Sequence, residues 1–231
     1  MKVLVHDIIE RLKIQEITFA DVRLTSTDEQ IIYFEKGELK HLSTSLDSIS
    51  IGIRVLINGC WGFAGTTIIN KSSVNKMIQT AISNAKHSAK FRKVPVKWTK
   101  HEPVQNSYFY VPKEDPFLMD EQEKIEYIGK ISKLLVGNPQ IVYSNASVDF
   151  YRQYKIYANT EGTFVDTLLY DTLPSIYVLA AEGPHVYSRT YPGHMNGRRG
   201  GFEIVRNFKF EENAPKIIDE AIALTKAPTI E

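Results

Sequence analysis

Residues 48–67 read SISIGIRVLINGCWGFAGTT. Ile49, Ile51, Ile53, Val55 and Ile57 fall on every second position, the period of a strand with one buried face. The opposite face carries Ser50, Gly52, Arg54, Leu56 and Asn58 and is mostly polar. Asn58-Gly59 tolerates the positive φ angles of a two-residue hairpin turn. Trp61 and Phe63 carry the returning strand, where Gly62 and Gly65 leave room for another backbone to approach. The pattern predicts a long hairpin, central to a sheet.

Upstream of the hairpin, Val5, Ile8, Ile9 and Leu12 make a short helical stripe. Residues 19–24 and 30–34 read as strands, and Lys36-Gly37 turns the chain into a third over 39–43. Downstream, Ser72 or Ser73 can cap a helix buried through Val74, Met77, Ile78, Ala81, Ile82 and Ala85. Residues 91–118 are punctuated by Pro95, Pro103, Pro112 and Pro116 and read as a connector packed across the surface. A second amphipathic helix is expected over 120–135, buried through Ile125, Ile128, Ile131, Leu134 and Leu135. Strands follow at 140–146, 149–158, 163–170 and 175–181, with turns at Asn145, at Thr160-Glu161-Gly162 and over 171–174. Residues 184–206 read as loop, and a helix capped by Asn213 closes the chain over 214–226.

Short strand-to-strand connections argue for largely antiparallel pairing. The expected fold class is therefore α+β, with antiparallel or mixed sheets covered by helices. Its organisation is a first half over 1–93 containing the hairpin 49–66, a connector over 94–118, and a second half over 119–231.

The 231 residues are 43% hydrophobic and carry a formal net charge of +1, enough apolar content for a sizeable core. The chain has no run of eighteen apolar residues, so no membrane partner is expected. His6, Asp7, Glu10 and Arg11 interrupt any signal-like start. The single cysteine, Cys60, allows no internal disulfide and favours a reducing, cytoplasmic setting. Residues 71–101 contain Lys71, Lys76, Lys86, Lys90, Arg92, Lys93, Lys97 and Lys100 and no acid. Such a field could attract nucleic acid or an acidic partner. It follows no nucleic-acid motif, so plain solvated surface is the expectation.

No local constellation carries chemistry. The six histidines form no HExxH motif, and His101-Glu102 sits beside Pro103 with no second histidine. Cys60 has no neighbour that would activate a thiol. Gly197-Arg198-Arg199-Gly200-Gly201 lacks the Lys-Ser/Thr of a phosphate-binding loop. The stretch 187–201, YSRTYPGHMNGRRGG, has a composition suited to polar recognition. Candidate groove or interface residues are Tyr187, Arg189, His194, Arg198 and Arg199 there, with Arg54, Trp61 and Phe63 on the hairpin. For Arg54, pairing with an acid inside the structure is the competing reading. No catalytic and no metal-binding residue is assigned.

An ordered set of motifs resembles the N-terminal portion of the TldD/PmbA metallopeptidases, older members of which were called modulators of DNA gyrase. Ala20-Asp21-Val22-Arg23 resembles the family's "ADVR" element. Gly52-Ile53-Arg54-Val55, Asn58-Gly59 and Trp61-Gly62-Phe63-Ala64 resemble its "G-x-R-V … G-x-W-G-F-A" hairpin. Asn159-Thr160-Glu161-Gly162 resembles its "S-x-E-G" turn, with asparagine for serine, and Gly200-Gly201-Phe202-Glu203 is a looser match. The resemblance implies a proteolytic system acting on unfolded or leader-like peptides, with zinc or another divalent metal held by an HExxxH helix in a C-terminal domain. HExxxH does not occur here, so this chain is expected to be inactive alone, a fragment whose last residues resemble the linker to that domain. The implied partners are that C-terminal domain, an unfolded peptide, and a second subunit in a homodimer or a heterodimer with a related chain. The alternatives are a catalytically inactive partner subunit of such a peptidase, or a non-enzymatic nucleic-acid or gyrase-associated adaptor.

Overall fold

In the computed structural model of the chain, residues 1–193 and 196–228 are described. The elements are α1 (Lys2–Leu12), β1 (Phe19–Glu35), β2 (Glu38–Ile57), β3 (Cys60–Thr66), α2 (Lys71–Phe91), β4 (Gln105–Phe109), α3 (Glu121–Leu134), β5 (Ile141–Asn159), β6 (Phe164–Glu182), β7 (His185–Tyr191), β8 (Arg198–Arg199), α4 (Glu203–Asn207) and α5 (Phe210–Thr225). The fold is α+β. Its sheet runs in the order β3-β2-β1-β5-β6-β4, with β7 and β8 also paired to β6.

The hairpin forms as expected. Asn58 and Gly59 take φ of 50° and 71°, and the register runs from Ile57↔Cys60 to Ile51↔Thr66. Its position differs from the expectation, because β3 ends the sheet and the hairpin is not central. Alternation reports a buried face; it does not report how many strands lie beyond.

Two compact units share the sheet strands. The first comprises residues 1–27, 46–110 and 153–168, and its core joins α1 and α2 to Val22, Leu24, Ile53, Val55 and Ile156. The second comprises residues 28–45, 111–152 and 169–231, and its core joins α3, α4 and α5 to Ile32, Phe34, Phe150 and Val178. Compactness thus groups residues differently from the sequence halves, since each of β1, β2, β5 and β6 contributes residues to both units.

Several strands expected as pairs are single. β1 runs unbroken through Ser26, Asp28 and Gln30, buried polar residues that interrupt the apolar alternation. Two of them are satisfied internally: Arg152 Nε donates to Asp28 at 2.6 Å, and Gln30 Nε2 donates to Thr44 Oγ1 at 3.0 Å and to Glu121 at 2.9 Å. β5 likewise passes through Asn145 without turning. β6 passes through Pro174, which falls between the segments 171–172 and 176–182 that pair with β8 and β7, where no ladder partner is displaced.

The stripes of α1 and α2 are buried as predicted, although Asn70 rather than a serine caps α2, its side chain accepting from Ser73 N–H at 2.8 Å. On α3, Leu134 is exposed and Lys124 is buried. The expected connector contains β4, which pairs with β6 in parallel, an exception to the antiparallel rule. The expected loop 184–206 contains β7 and β8 and begins α4.

Candidate functional site

The sequence candidates fall in different units, so each group stands by itself. On the hairpin, even positions of β2 and odd positions of β3 lie on the face away from α1 and α2. Arg54 there reaches Asp21 of β1, whose side chain is only 1% exposed. Arg54 Nε donates to both carboxylate oxygens, at 3.2 and 3.0 Å, and Nη2 donates to Oδ2. This bond raises the guanidinium pKa further. Arg23 Nε approaches the same carboxylate at 3.8 Å while its side chain remains 61% exposed. Arg54 is thus paired with an acid inside the structure, and two motifs 33 residues apart are joined by an ion pair.

Aromatic rings extend this face. Arg54 lies 5.0 Å over Trp61, and Arg23 lies 5.6 Å over Tyr157. Trp98, from the segment before β4, stacks on Phe19 at 3.8 Å and meets Trp61 edge-on at 5.9 Å. Its indole N–H donates to Glu161 at 2.8 Å. Phe63, paired across the hairpin with Arg54, is 62% exposed. The surface therefore carries two guanidiniums, the Asp21 and Glu161 carboxylates and several rings.

In the second unit, two of the candidate arginines are neutralised by acids. Arg189 Nε meets Glu220 at 3.2 Å, and Arg199 Nε donates to Asp171, its cross-strand partner, at 2.9 Å. Arg198 is satisfied by Asn196 Oδ1 at 2.5 Å and lies 5.9 Å over Phe208. Tyr187 is exposed on β7. His194 lies outside the described residues. A 260 Å³ cavity does adjoin this stretch, lined by Asn145, Ser147, Asp149, Tyr177, Thr190 and Asn196. Burial, with the Glu29 charge nearby, pushes the Asp149 carboxyl above its ordinary range. From the stretch 187–201 the cavity takes Thr190, Gly193 and Asn196, and none of the arginines.

Sequence reasoning missed three buried polar centres. Asp166 is fully buried and receives Ser107 Oγ at 2.5 Å, Tyr154 Oη at 2.9 Å and the Lys2 ammonium at 2.7 Å. Glu203 accepts the N–H groups of Gly201 and Glu114, each at 3.0 Å. Lys124, 2% exposed, donates to Gln30 Oε1 and Pro116 O, and burial lowers its pKa. Each depends on at least one partner far away in sequence, Lys2 for Asp166, Glu114 for Glu203 and Gln30 for Lys124, so no local window showed its role.

The motif glycines and asparagine also have structural reasons. A Cβ at Gly62 would sit 2.0 Å from Ala81 O of α2, and one at Gly201 would sit 2.0 Å from Glu114 O. Asn159 Oδ1 accepts from the N–H groups of Glu161 and Thr163, each at 3.0 Å, and so closes the turn.

Among the described residues, no three His, Cys, Asp or Glu side chains converge to hold a metal ion. The donors among the described residues do not fit a metal centre. No helix among the described residues is long and apolar enough to cross a membrane.

Comparison with known proteins places these features. Residues 20–85 match PmbA/TldA metallopeptidase domain 1, and residues 114–227 match the PmbA/TldA metallopeptidase central domain. Metalloprotease MJ0996 of Methanocaldococcus jannaschii is 24% identical over 110 residues, covering 48% of this chain and 24% of that protein. The crystal structure of a proposed modulator of a DNA gyrase from Thermotoga maritima superposes with a TM-score of 0.72 at 16% identity, covering 100% of this chain and 50% of that one. TldE from Thermococcus kodakarensis superposes with a TM-score of 0.58 at 14% identity, covering 96% and 47%. The chain thus spans about half the length of the solved structures it resembles. With two consecutive domain matches and their motif residues at the structural joints just described, this chain belongs to the PmbA/TldD metallopeptidase family.

Proposed function

We propose that this chain is the substrate-enclosing, non-catalytic part of a metal-dependent peptidase that acts on unfolded or leader-like peptides. The observation that carries this reading is the pair of family matches, domain 1 followed by the central domain, on a chain half as long as its structural relatives. In this reading zinc or another divalent metal, with the proton-transferring groups, belongs to a C-terminal domain of the longer protein, where the metal would polarise a peptide carbonyl and activate water.

The residues of this chain hold and orient. The face bearing Arg23, Arg54, Trp61 and Phe63 contributes cationic and aromatic contacts to an extended peptide. The stretch 187–201 contributes polar ones. Partners of the longer protein are its C-terminal domain and a second subunit, in a cytoplasmic setting.

The test uses the natural full-length gene product beside this chain. Metal content is measured by mass spectrometry, and cleavage is followed on an unfolded peptide. The expected result is stoichiometric metal and cleavage for the full-length protein, with neither for residues 1–231. Cleavage by this chain alone, or a full-length product without either property, would overturn the proposal.

A further inference from the structure

Asn159, the last residue of β5, is only 7% exposed, and its side-chain amide is used on one side only. Oδ1 takes the two N–H groups of the turn, and the backbone closes the same turn through Asn159 N–H to Thr163 O at 3.0 Å and Gly162 N–H to Asn159 O at 3.3 Å. Two donors on Oδ1 fix which way the amide faces, so Nδ2 is held pointing away from the turn. Nδ2 donates to none of the described residues. Among them no side-chain nitrogen or oxygen sealed from solvent lacks a partner, so Nδ2 opens onto the surface that Asn159 lines.

That surface is an 830 Å³ groove between α1 and the turn into β6, wholly within the first unit and of a size that holds small organic ligands. Its apolar lining comes from Val3 and Ile9 on the helix and Ala158 and Phe164 on the sheet. Thr163 Oγ1 accepts Val104 N–H at 3.2 Å and keeps its own proton as a second donor. The lysines and acids on the walls are countered within the chain: Lys2 by Asp166 at 2.7 Å, Lys13 by Glu10 at 2.7 Å, and Asp7 by Arg11 at 3.5 Å. His6 is the remaining titratable group on the walls. A buried donor without an acceptor, apolar sides and balanced charge together describe the ligand that fits.

We propose that this groove binds an uncharged ligand in which a carbonyl stands beside a branched apolar group, as a small acylated amide or a peptide segment without charged side chains presents it. The carbonyl accepts from Asn159 Nδ2, and the apolar group lies against Val3, Ile9 and Phe164. The amide donor is already fixed by the turn, so binding spends little on ordering it. A charged ligand would give up hydration and find its counter-ions on the walls already engaged. One wall, α1, lies ahead of the domain 1 match, and asparagine stands where the turn motif it resembles has serine, which carries no amide N–H. The inference concerns the groove alone and holds whether or not the longer protein cleaves peptides.

The test titrates N-acetyl-leucyl-alanine amide into the isotope-labelled chain and follows the Asn159 side-chain amide and Val3 methyl signals by NMR. Both should shift saturably, with a dissociation constant of about 1 mM or below. Asn159→Ser keeps an acceptor for the turn and removes Nδ2, and should weaken binding about fivefold, read on the Val3 methyls. Val3→Ser, at a position 84% exposed, leaves the core untouched and keeps the test open if Asn159→Ser does not fold. It should weaken binding about threefold. The free acid N-acetyl-leucyl-alanine and the free amine leucyl-alanine amide should each bind at least about threefold more weakly than the neutral compound. Acetyl-Gly-Gly-Leu-Ala-Gly-Gly-amide separates the two sources of this chemistry: equal or tighter binding supports a peptide segment, and weaker binding supports a small amide. Absence of a saturable shift up to about 10 mM would overturn the proposal. So would unchanged affinity in a folded Asn159→Ser or in Val3→Ser, or tighter binding of either charged compound.

Discussion

At Asp21 the two ends of one ion pair are unequal. The carboxylate is almost wholly enclosed, whereas the Arg54 side chain keeps 40% of its exposure and can turn toward water. Removing the guanidinium therefore strands a buried charge, and removing the charge of the acid strands little. Arg54→Gln is expected to lower the unfolding free energy by roughly 2–3 kcal/mol, and Asp21→Asn by roughly 1–2 kcal/mol, in urea denaturation. Equal costs would mean that Arg23, at 3.8 Å, already compensates the carboxylate. Sequence made Arg54 conspicuous, as a charge on the polar side of an isoleucine row. It did not reveal the partner, since 33 residues separate the two and only strand pairing brings them together. The arginines of 187–201 show the reverse: composition suggested binding groups, and cross-strand and helix acids claim two of them.

At the scale of elements, α2 lies against β3 through a missing side chain. The Cβ that alanine would add at Gly62 meets backbone atoms of Ala81 and Ala85 at 2.0 and 2.5 Å, and neither can move without the helix. Gly62→Ala should cost about 3 kcal/mol in thermal or chemical unfolding. Gly52→Ala, whose Cβ would meet the ring of exposed Phe63 at 3.1 Å and backbone no nearer than Ala64 O at 3.8 Å, should cost less than about 1 kcal/mol. Comparable losses at both positions would show that the helix can shift. Helices were legible because their apolar periods are local. The long strands were not legible as single elements, because Asp28 and Gln30 satisfy their polar groups through Arg152 and Glu121, partners that no window of sequence contains. β4 was hidden for a related reason: exposed on both faces, it has no alternation to detect.

Across the whole molecule, each compact unit contains a buried carboxylate whose pKa is depressed. Burial pushes Asp166 upward, but the hydrogen bonds from Lys2, Ser107 and Tyr154 outweigh it and hold the group below its ordinary 3.8. Burial likewise raises Glu203, and the N–H groups of Gly201 and Glu114 bring it below 4.5. The unfolded chain then binds more protons than the folded one as the solution is acidified. These contributions are complete above the ordinary carboxylate values and disappear as pH falls through the depressed ones. The urea midpoint should therefore drop between about pH 5 and pH 2, and Asp166→Asn should flatten that fall while lowering stability near neutrality. An unchanged pH dependence in the variant would remove Asp166 from the account. Charge divides unevenly as well: the first unit has fourteen lysines and arginines against eight acids, the second fourteen against nineteen. The run 71–100 belongs to the first, while the acids of 113–126 belong to the second. Because β5 and β6 return to the first core through Ile156, Ala158 and Phe164, a ribosome that has released only the first hundred residues has not yet supplied that core's last wall. Folding of that core during synthesis must wait until the chain has been made through Phe164, and a nascent chain stalled earlier would present α1 and α2 to chaperones with their apolar stripes still open.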